Sequence, residues 1–328
     1  MKIAVMASLA LVSLVSVSHA QDSSTGSAQG YPSKPVRLLI PWAAGGSTDA
    51  IGRIIAQKLI EYTGQQWIID NRAGATGTIG HALIAKAPPD GYTILLGTNS
   101  TFAIAPHLYT KLPYDNEKSF APIALVAISP QILSVHPSLP VKNVKDLVAL
   151  AKARPSQIQF STAGVGATSH MATELLMNMA GIKMTHVPYK GGGPSAQALI
   201  GGETALSFVD VITALPQAQA GRLRLIATST AKRTPLMPEL PTIAESGLPG
   251  FESVTSFGLF APAGTSKEIT GRVQHELVKA LATSDVKERL RAQGIDPVGG
   301  GPEDLVAHQK QEIAKWGKVI REQGIKFE

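Results

Sequence analysis

The chain has 328 residues, a formal net charge of +6 and no cysteine, which excludes a disulfide-stapled mini-domain, thiolate-held metal and a cysteine nucleophile. Its length is that of about two ordinary domains, enough to bury a core without covalent staples. Lysine and arginine are scattered rather than massed with aromatics, so no nucleic-acid surface is expected; the positive surplus mildly favours anionic ligands by long-range steering.

Residues 1–20 read as a secretory signal peptide. Lys2 supplies the positive start, residues 3–17 form an apolar run broken only by serines, and Ser18-His19-Ala20 has small residues where signal peptidase needs them. Cleavage is expected after Ala20, with residues 21–30 a flexible leader and the folded body beginning near Tyr31. An uncleaved anchor is the weaker reading because the run is short for a bilayer, and a lipoprotein anchor needs a cysteine. Export without cysteines suits the Gram-negative periplasm.

Strands are expected at residues 38–41, 66–70, 92–97, 158–162, 185–188, 204–209 and 223–229, and helices at 49–62, 77–87, 144–153, 169–180, 195–201, 266–283 and 303–323. Such alternation specifies α/β layers with mostly parallel strands flanked by helices. Apolar runs at 123–135 and 253–261 read as crossings between two lobes. One lobe then comprises residues 31–130 plus 252–328, the other residues 131–251. Ligands of open α/β sheets sit beyond the strand C-termini, here in a cleft between lobes.

Three strand–loop–helix junctions carry the candidate chemistry. In Pro41-Trp42-Ala43-Ala44-Gly45-Gly46-Ser47-Thr48-Asp49 the adjacent glycines let backbone approach a ligand. The following helix start offers N–H groups and a positive dipole end, a seat for phosphate or carboxylate. Asp49 either stabilises that dipole or orders water in the cleft, and Arg53 stands where it balances Asp49 at (i, i+4). The second junction, Ser161-Thr162-Ala163-Gly164-Val165-Gly166-Ala167-Thr168-Ser169-His170, adds hydroxyls. Its bland alternative is a tight turn capped by Thr168 or Ser169, and it lacks the third glycine of a dinucleotide fingerprint. The third, Val187-Pro188-Tyr189-Lys190-Gly191-Gly192-Gly193-Pro194, offers Lys190 to an anion, unless that lysine is simply solvated. Asp210, ending a strand, either receives a ligand hydroxyl, ammonium or water or caps the next helix. His81 and His170 lie near helix starts, where histidines are more often packed than catalytic.

The absences narrow the chemistry. There is no P-loop and no G-x-S-x-G elbow, and His275-Glu276 lacks the second histidine of a zinc protease. Glycine, hydroxyl and backbone donors suit holding an anion better than transforming it.

Several motifs occur in one order over nearly all of the mature chain: Tyr31-Pro32-Ser33-Lys34-Pro35-Val36 through Asp49, Asn71-Arg72-Ala73-Gly74-Ala75, Asp90-Gly91-Tyr92-Thr93-Ile94-Leu95, Gly164 to His170, Val187-Pro188-Tyr189-Lys190-Gly191, Pro241-Thr242-Ile243-Ala244-Glu245-Ser246-Gly247 and Phe260-Ala261-Pro262-Ala263-Gly264-Thr265. The ordered set resembles the Bug family, the tripartite tricarboxylate transporter substrate-binding proteins. The resemblance implies a two-lobed α/β periplasmic binding protein of Venus-flytrap type, without catalysis, cofactor or metal, and a monomer. It implies capture of a small carboxylate, aliphatic di- or tricarboxylate or aromatic, and delivery to membrane subunits of a tripartite secondary transporter. The grip carried over falls on Trp42, Ala43, Ala44, Gly45, Gly46 and Asp49, opposed by Ser161, Thr162, Gly164, Gly166, Ser169 and His170, with Asp210 as the second lobe's acid. Two positions depart from the family pattern: Ala44 replaces a proline, and Ala198 an aspartate. The rivals are a sensor presenting its ligand to a receptor kinase and an exported hydrolase, the latter disfavoured by the missing nucleophile–base pair.

Overall fold

The structure, a computed structural model, describes residues 30–322 and Ile325; the expected signal peptide and all but the last residue of the leader lie outside the described residues. The chain runs β1 (Val36–Ile40), α1 (Ser47–Thr63), β2 (Trp67–Asn71), α2 (Thr78–Ala85), β3 (Thr93–Thr98), α3 (Ala105–Leu108) and the long β4 (Phe120–Val135). It continues through α4 (Val144–Ala153), β5 (Gln159–Thr162), α5 (Thr168–Ala180), β6 (Thr185–Pro188), α6 (Gly192–Ile200), β7 (Leu206–Asp210), α7 (Val211–Gln219) and β8 (Arg224–Thr228). It closes with β9 (Val254–Pro262), α8 (Lys267–Ala282), α9 (Ser284–Arg291), β10 (Asp296–Gly300) and α10 (Pro302–Glu322).

The local chemistry explains the elements that flank the cleft. Leu38, Leu39 and Ile40 of β1 are fully buried, the unbroken apolar run of a strand covered on both faces. α1 turns Ile51, Ile54, Ile55 and Leu59 inward at helical spacing. It ends on Gly64, whose left-handed φ of 69° suits a residue without Cβ.

Parallel pairing holds at both ends of the sheet, where β1 lies between β2 and β3 and β5 lies between β6 and β7. The middle is antiparallel, because β4 and β9 carry the chain out and back and therefore run in opposite directions. β4 changes partners along its length. Up to Pro130, which faces Val254, it pairs with β9, and from Gln131, which faces Asp210, it pairs with β7 and β8. A proline at the exchange removes a ladder donor where the pairing changes. β10 adds to the first half of β4. The result is a curled mixed sheet flanked by helices. One apolar cluster centres on Leu38, Ile55, Phe257 and Leu277, another on Leu133, Phe160, Leu176 and Phe208.

α3, α7, α9 and β10 stand outside the sequence-based expectation. α7 carries Pro216 in its interior and β10 reads Asp-Pro-Val-Gly-Gly, compositions that punctuate rather than propagate regular structure. Both are held by packing: Val211 of α7 is fully buried, and β10 pairs with β4. No helix among the described residues is long and apolar enough to cross a membrane.

Candidate functional site

Four helices begin at one cleft: α1 after Gly46, α5 after Ala167, α6 after Gly191 and α7 after Asp210. None of the four is capped by the side chain of its own N-cap residue, whereas α4 and α8 are capped by Asn143 and Ser266. The first N–H groups of a helix have no partner inside it, so donors and positive dipole ends ring the cleft. The expected caps Thr168 and Ser169 are instead the first residues of α5. Thr168 Oγ1 donates to Asn99 Oδ1 at 3.1 Å, and Ser169 Oγ accepts the Ala163 N–H at 3.0 Å.

The space between these helices amounts to about 620 Å³, open solvent at its mouth included. Asp210 is the one ionisable side chain on its wall among the described residues; no lysine, arginine or histidine lines it. Gln131 reaches it from β4, is 5 % exposed, and its Oε1 has no hydrogen-bond partner among the described residues. An orphaned buried acceptor costs roughly 1–3 kcal/mol, and a ligand donor or a bridging water would remove that cost.

The first jaw is a loop clamped from behind. Asn71 Nδ2 donates to Trp42 O at 3.0 Å and to Asp49 Oδ1 at 3.2 Å. Asp49 Oδ2 accepts the Gly45 N–H at 3.1 Å and Arg53 Nε at 2.9 Å. Burial by itself raises the Asp49 carboxyl, but the bonds from Arg53, Gly45 and Asn71 outweigh it and hold the group below its ordinary value. Asp49 thus organises the loop rather than facing the cavity, and Arg53 balances it. Trp42 Nε1 donates to Thr98 Oγ1 at 3.2 Å, which sets the indole as a fixed wall. Ala43 and Gly46 line the cavity. Ala44 and Gly45 are exposed at the rim, where Ala44 O lies 3.4 Å from the place a Cβ on Gly193 would take.

The second jaw is built in two layers. Ser169 lines the cavity, together with Thr168. Ser161 and Thr162 point into their own lobe: Ser161 Oγ donates to Ser195 O at 3.0 Å, and Thr162 Oγ1 lies 2.6 Å from His186 Nε2. Gly164 and Gly166 form the turn with φ of 136° and 79°, and a Cβ on Gly166 would stand 2.7 Å from Leu108 Cδ1. His170 lies under that turn. Its Nδ1 accepts the Gly166 N–H at 3.2 Å, and its ring stacks on His186 at 3.9 Å between centroids. Burial, then the neighbouring His170, pushes His186 down to about 3. His81 is likewise a packed residue, fully enclosed beside Tyr114 and Phe120 and pushed down to about 4 by burial.

Trp42, Ala43, Gly46, Ser169 and Asp210 therefore stand on the wall. Gly45, Asp49, Ser161, Thr162, Gly164, Gly166 and His170 lie behind it or at its rim, because their side chains or torsions are used to hold the two loops, and Ala44 is exposed at the rim. Sequence reasoning did not single out Ser100, Gln131, Ser195, Thr213 and Thr255 as cavity residues. Ser195 sits in a glycine-rich junction that was legible, whereas Gln131 and Thr255 on the crossing strands carry no local signal.

The jaws meet. Ser47 Oγ donates to Asp210 Oδ2 at 2.6 Å, Ser100 Oγ accepts the Thr168 N–H at 3.1 Å, and Thr76 Oγ1 donates to Val165 O. Asp210 occupies the N-cap position of α7, yet its side chain bonds across the cleft instead of capping. Burial raises its carboxyl above the ordinary range, partly offset by the Ser47 hydroxyl and N–H. Its contribution to stability is therefore full below the ordinary aspartate value of about 3.9 and is lost as pH rises through the raised folded value. Asp210→Asn is expected to remove that loss, so its stability relative to the parent rises with pH across this window. Urea unfolding at a series of pH values tests it; parallel curves for the two proteins would show that Asp210 does not titrate as described.

The sequence profile described as Tripartite tricarboxylate transporter family receptor matches residues 51–325. Among solved structures, R. palustris Rpa4515 with adipate superposes with a TM-score of 0.88 at 39 % identity, covering 90 % of this chain and 99 % of that one. The periplasmic binding protein BugD gives a TM-score of 0.86 at 34 % identity, covering 90 % of this chain and 99 % of that one. MatC (Rpa3494) from Rhodopseudomonas palustris with bound malate gives 0.84 at 32 % identity, covering 88 % of this chain and 100 % of that one.

Proposed function

The chain belongs to the tripartite tricarboxylate transporter receptor family, that of the Bug proteins, and on that premise we infer that it is a periplasmic receptor for a small carboxylate. The observation that carries this reading is the convergence of four helix starts, none capped by its own N-cap side chain, on a cavity that lacks basic side chains among the described residues. Aligned N–H groups and dipoles stabilise a carboxylate without a counter-cation. Gln131, orphaned on the cavity wall, and Asp210 offer acceptors to a hydroxyl, an ammonium or a bridging water. Adipate and malate, bound by relatives of the same fold, belong to this chemical class.

The receptor works by lobe closure. We take residues 31–130 with 252–328 as one lobe and residues 131–251 as the other, a division that the exchange of β4 partners at Pro130 and Gln131 supports. A ligand that contacts both jaws favours the closed arrangement by its differential affinity. After export and cleavage behind Ala20, the loaded protein delivers its carboxylate to the membrane subunits of a tripartite, ion-gradient-driven transporter. No turnover is part of this reading, since among the described residues the cavity wall brings no histidine to a hydroxyl. Calorimetry of the purified protein against mono-, di- and tricarboxylates tests it: saturable binding of at least one is expected, and no heat from any of them removes the proposal.

A further inference from the structure

The geometry points to a second anionic subsite at the mouth of the cleft, where Lys190 takes the distal carboxylate of a linear dicarboxylate. It rests on the inner cavity being the seat of the first carboxylate. Beside that cavity lies a second depression of about 580 Å³, open solvent included, walled by residues 74–76, 163–165 and 188–190. Trp42 and Ala163 line both spaces, so the two are neighbouring chambers with the indole between them. Trp42 is 8 % exposed and held at both its ring and its carbonyl. The partition is therefore rigid and apolar, a surface suited to a methylene segment.

The chambers differ in charge. Among the described residues, the inner wall carries Asp210 and no cation, and the outer wall carries Lys190 and no carboxylate. Tyr189, the neighbour of Lys190, commits its hydroxyl to Glu203 at 3.0 Å, whereas Lys190 has no ion pair or hydrogen bond among the described residues. Opposite it, Ala75 and Thr76 hold left-handed φ of 43° and 54°. Non-glycine residues rarely hold that region, because their Cβ crowds the following carbonyl oxygen. The hydrogen bond from Thr76 to Val165 accounts for one of them. Ala75 is exposed.

A matched pair of ligands tests the assignment: a linear dicarboxylate and the monocarboxylate of equal chain length, by calorimetry at low and high salt. The parent protein is expected to prefer the dicarboxylate by about tenfold, the scale of one charge-assisted hydrogen bond, and the preference should shrink with salt. Lys190→Gln should abolish the preference without changing monocarboxylate affinity, and Lys190→Arg should retain it. A Lys190→Gln protein that keeps the preference, or weakens both ligands alike, overturns the subsite. Equal affinities in the parent protein overturn it too and leave the inner seat standing, whereas binding of neither ligand removes the inner seat as well.

Discussion

Gly46→Val lowers carboxylate affinity by about 10- to 100-fold while the protein stays folded. Gly46 has φ of −95° and ψ of 176°, an extended conformation that β-branched residues accept. A Cβ built there meets nothing within 4 Å, because the residue faces the cavity. The valine methyls then occupy space beside the α1 N–H groups that the ligand needs. Overfilling a packed site costs about 1–3 kcal/mol, which gives the stated range. The stability change is confined to a poorer N-cap, about 1 kcal/mol or less, a Tm shift of about 2–4 °C. Gly45→Val is the contrasting variant: its φ of +89° strains any side chain, so stability falls there through the backbone. Calorimetric titration with differential scanning measures both. Near-parental affinity in a folded Gly46→Val protein would take this loop out of the site.

Asn99→Leu lowers the unfolding free energy by about 3–5 kcal/mol, the scale of breaking a buried polar network. Asn99 is fully buried behind the cleft. Its Nδ2 donates to Val254 O at 2.9 Å and Glu312 Oε2 at 2.8 Å, and its Oδ1 accepts Thr168 Oγ1 at 3.1 Å and the Ser256 N–H at 3.4 Å. Glu312 accepts in addition from Trp316 Nε1 at 3.0 Å, so α10, β9 and the start of α5 are joined through one amide. Leucine has nearly the same volume but leaves the Glu312 carboxyl and the Val254 carbonyl short of a donor. It also removes a bond between the jaws, so ligand affinity should fall along with stability. Urea unfolding measures the loss, and a change below about 1 kcal/mol would show that the network contributes little.

The two variants illustrate how legible the site was. The loop containing Gly46 could be read directly, because a strand, paired glycines and an amphipathic helix start are local features. Asn99 could not, since nothing around Ser100 and Thr101 marks a buried junction, and its partners Val254 and Glu312 lie 155 and 213 residues away. Asp49 shows an intermediate case. Its place in the first turn of a helix and its pairing with Arg53 were legible, but its turn back onto Gly45 and Asn71 was not. His170 matched a motif, yet it stacks beneath the loop because β6 brings His186 against it.

The sequence by itself determined the α/β alternation, the glycine junctions, the two crossing strands and, through the ordered motifs, the family. These depend on torsional preference and apolar periodicity, properties of a few neighbouring residues. Which atoms face the cavity depends on long-range packing. It turned Asp210 onto Ser47, 163 residues away, brought Gln131 to the cavity, and divided the cleft with Trp42. The direction of a side chain at a loop is set by the strand or helix that packs against it. Here those neighbours come from the other lobe or from far along the chain, so no local signal encodes the choice.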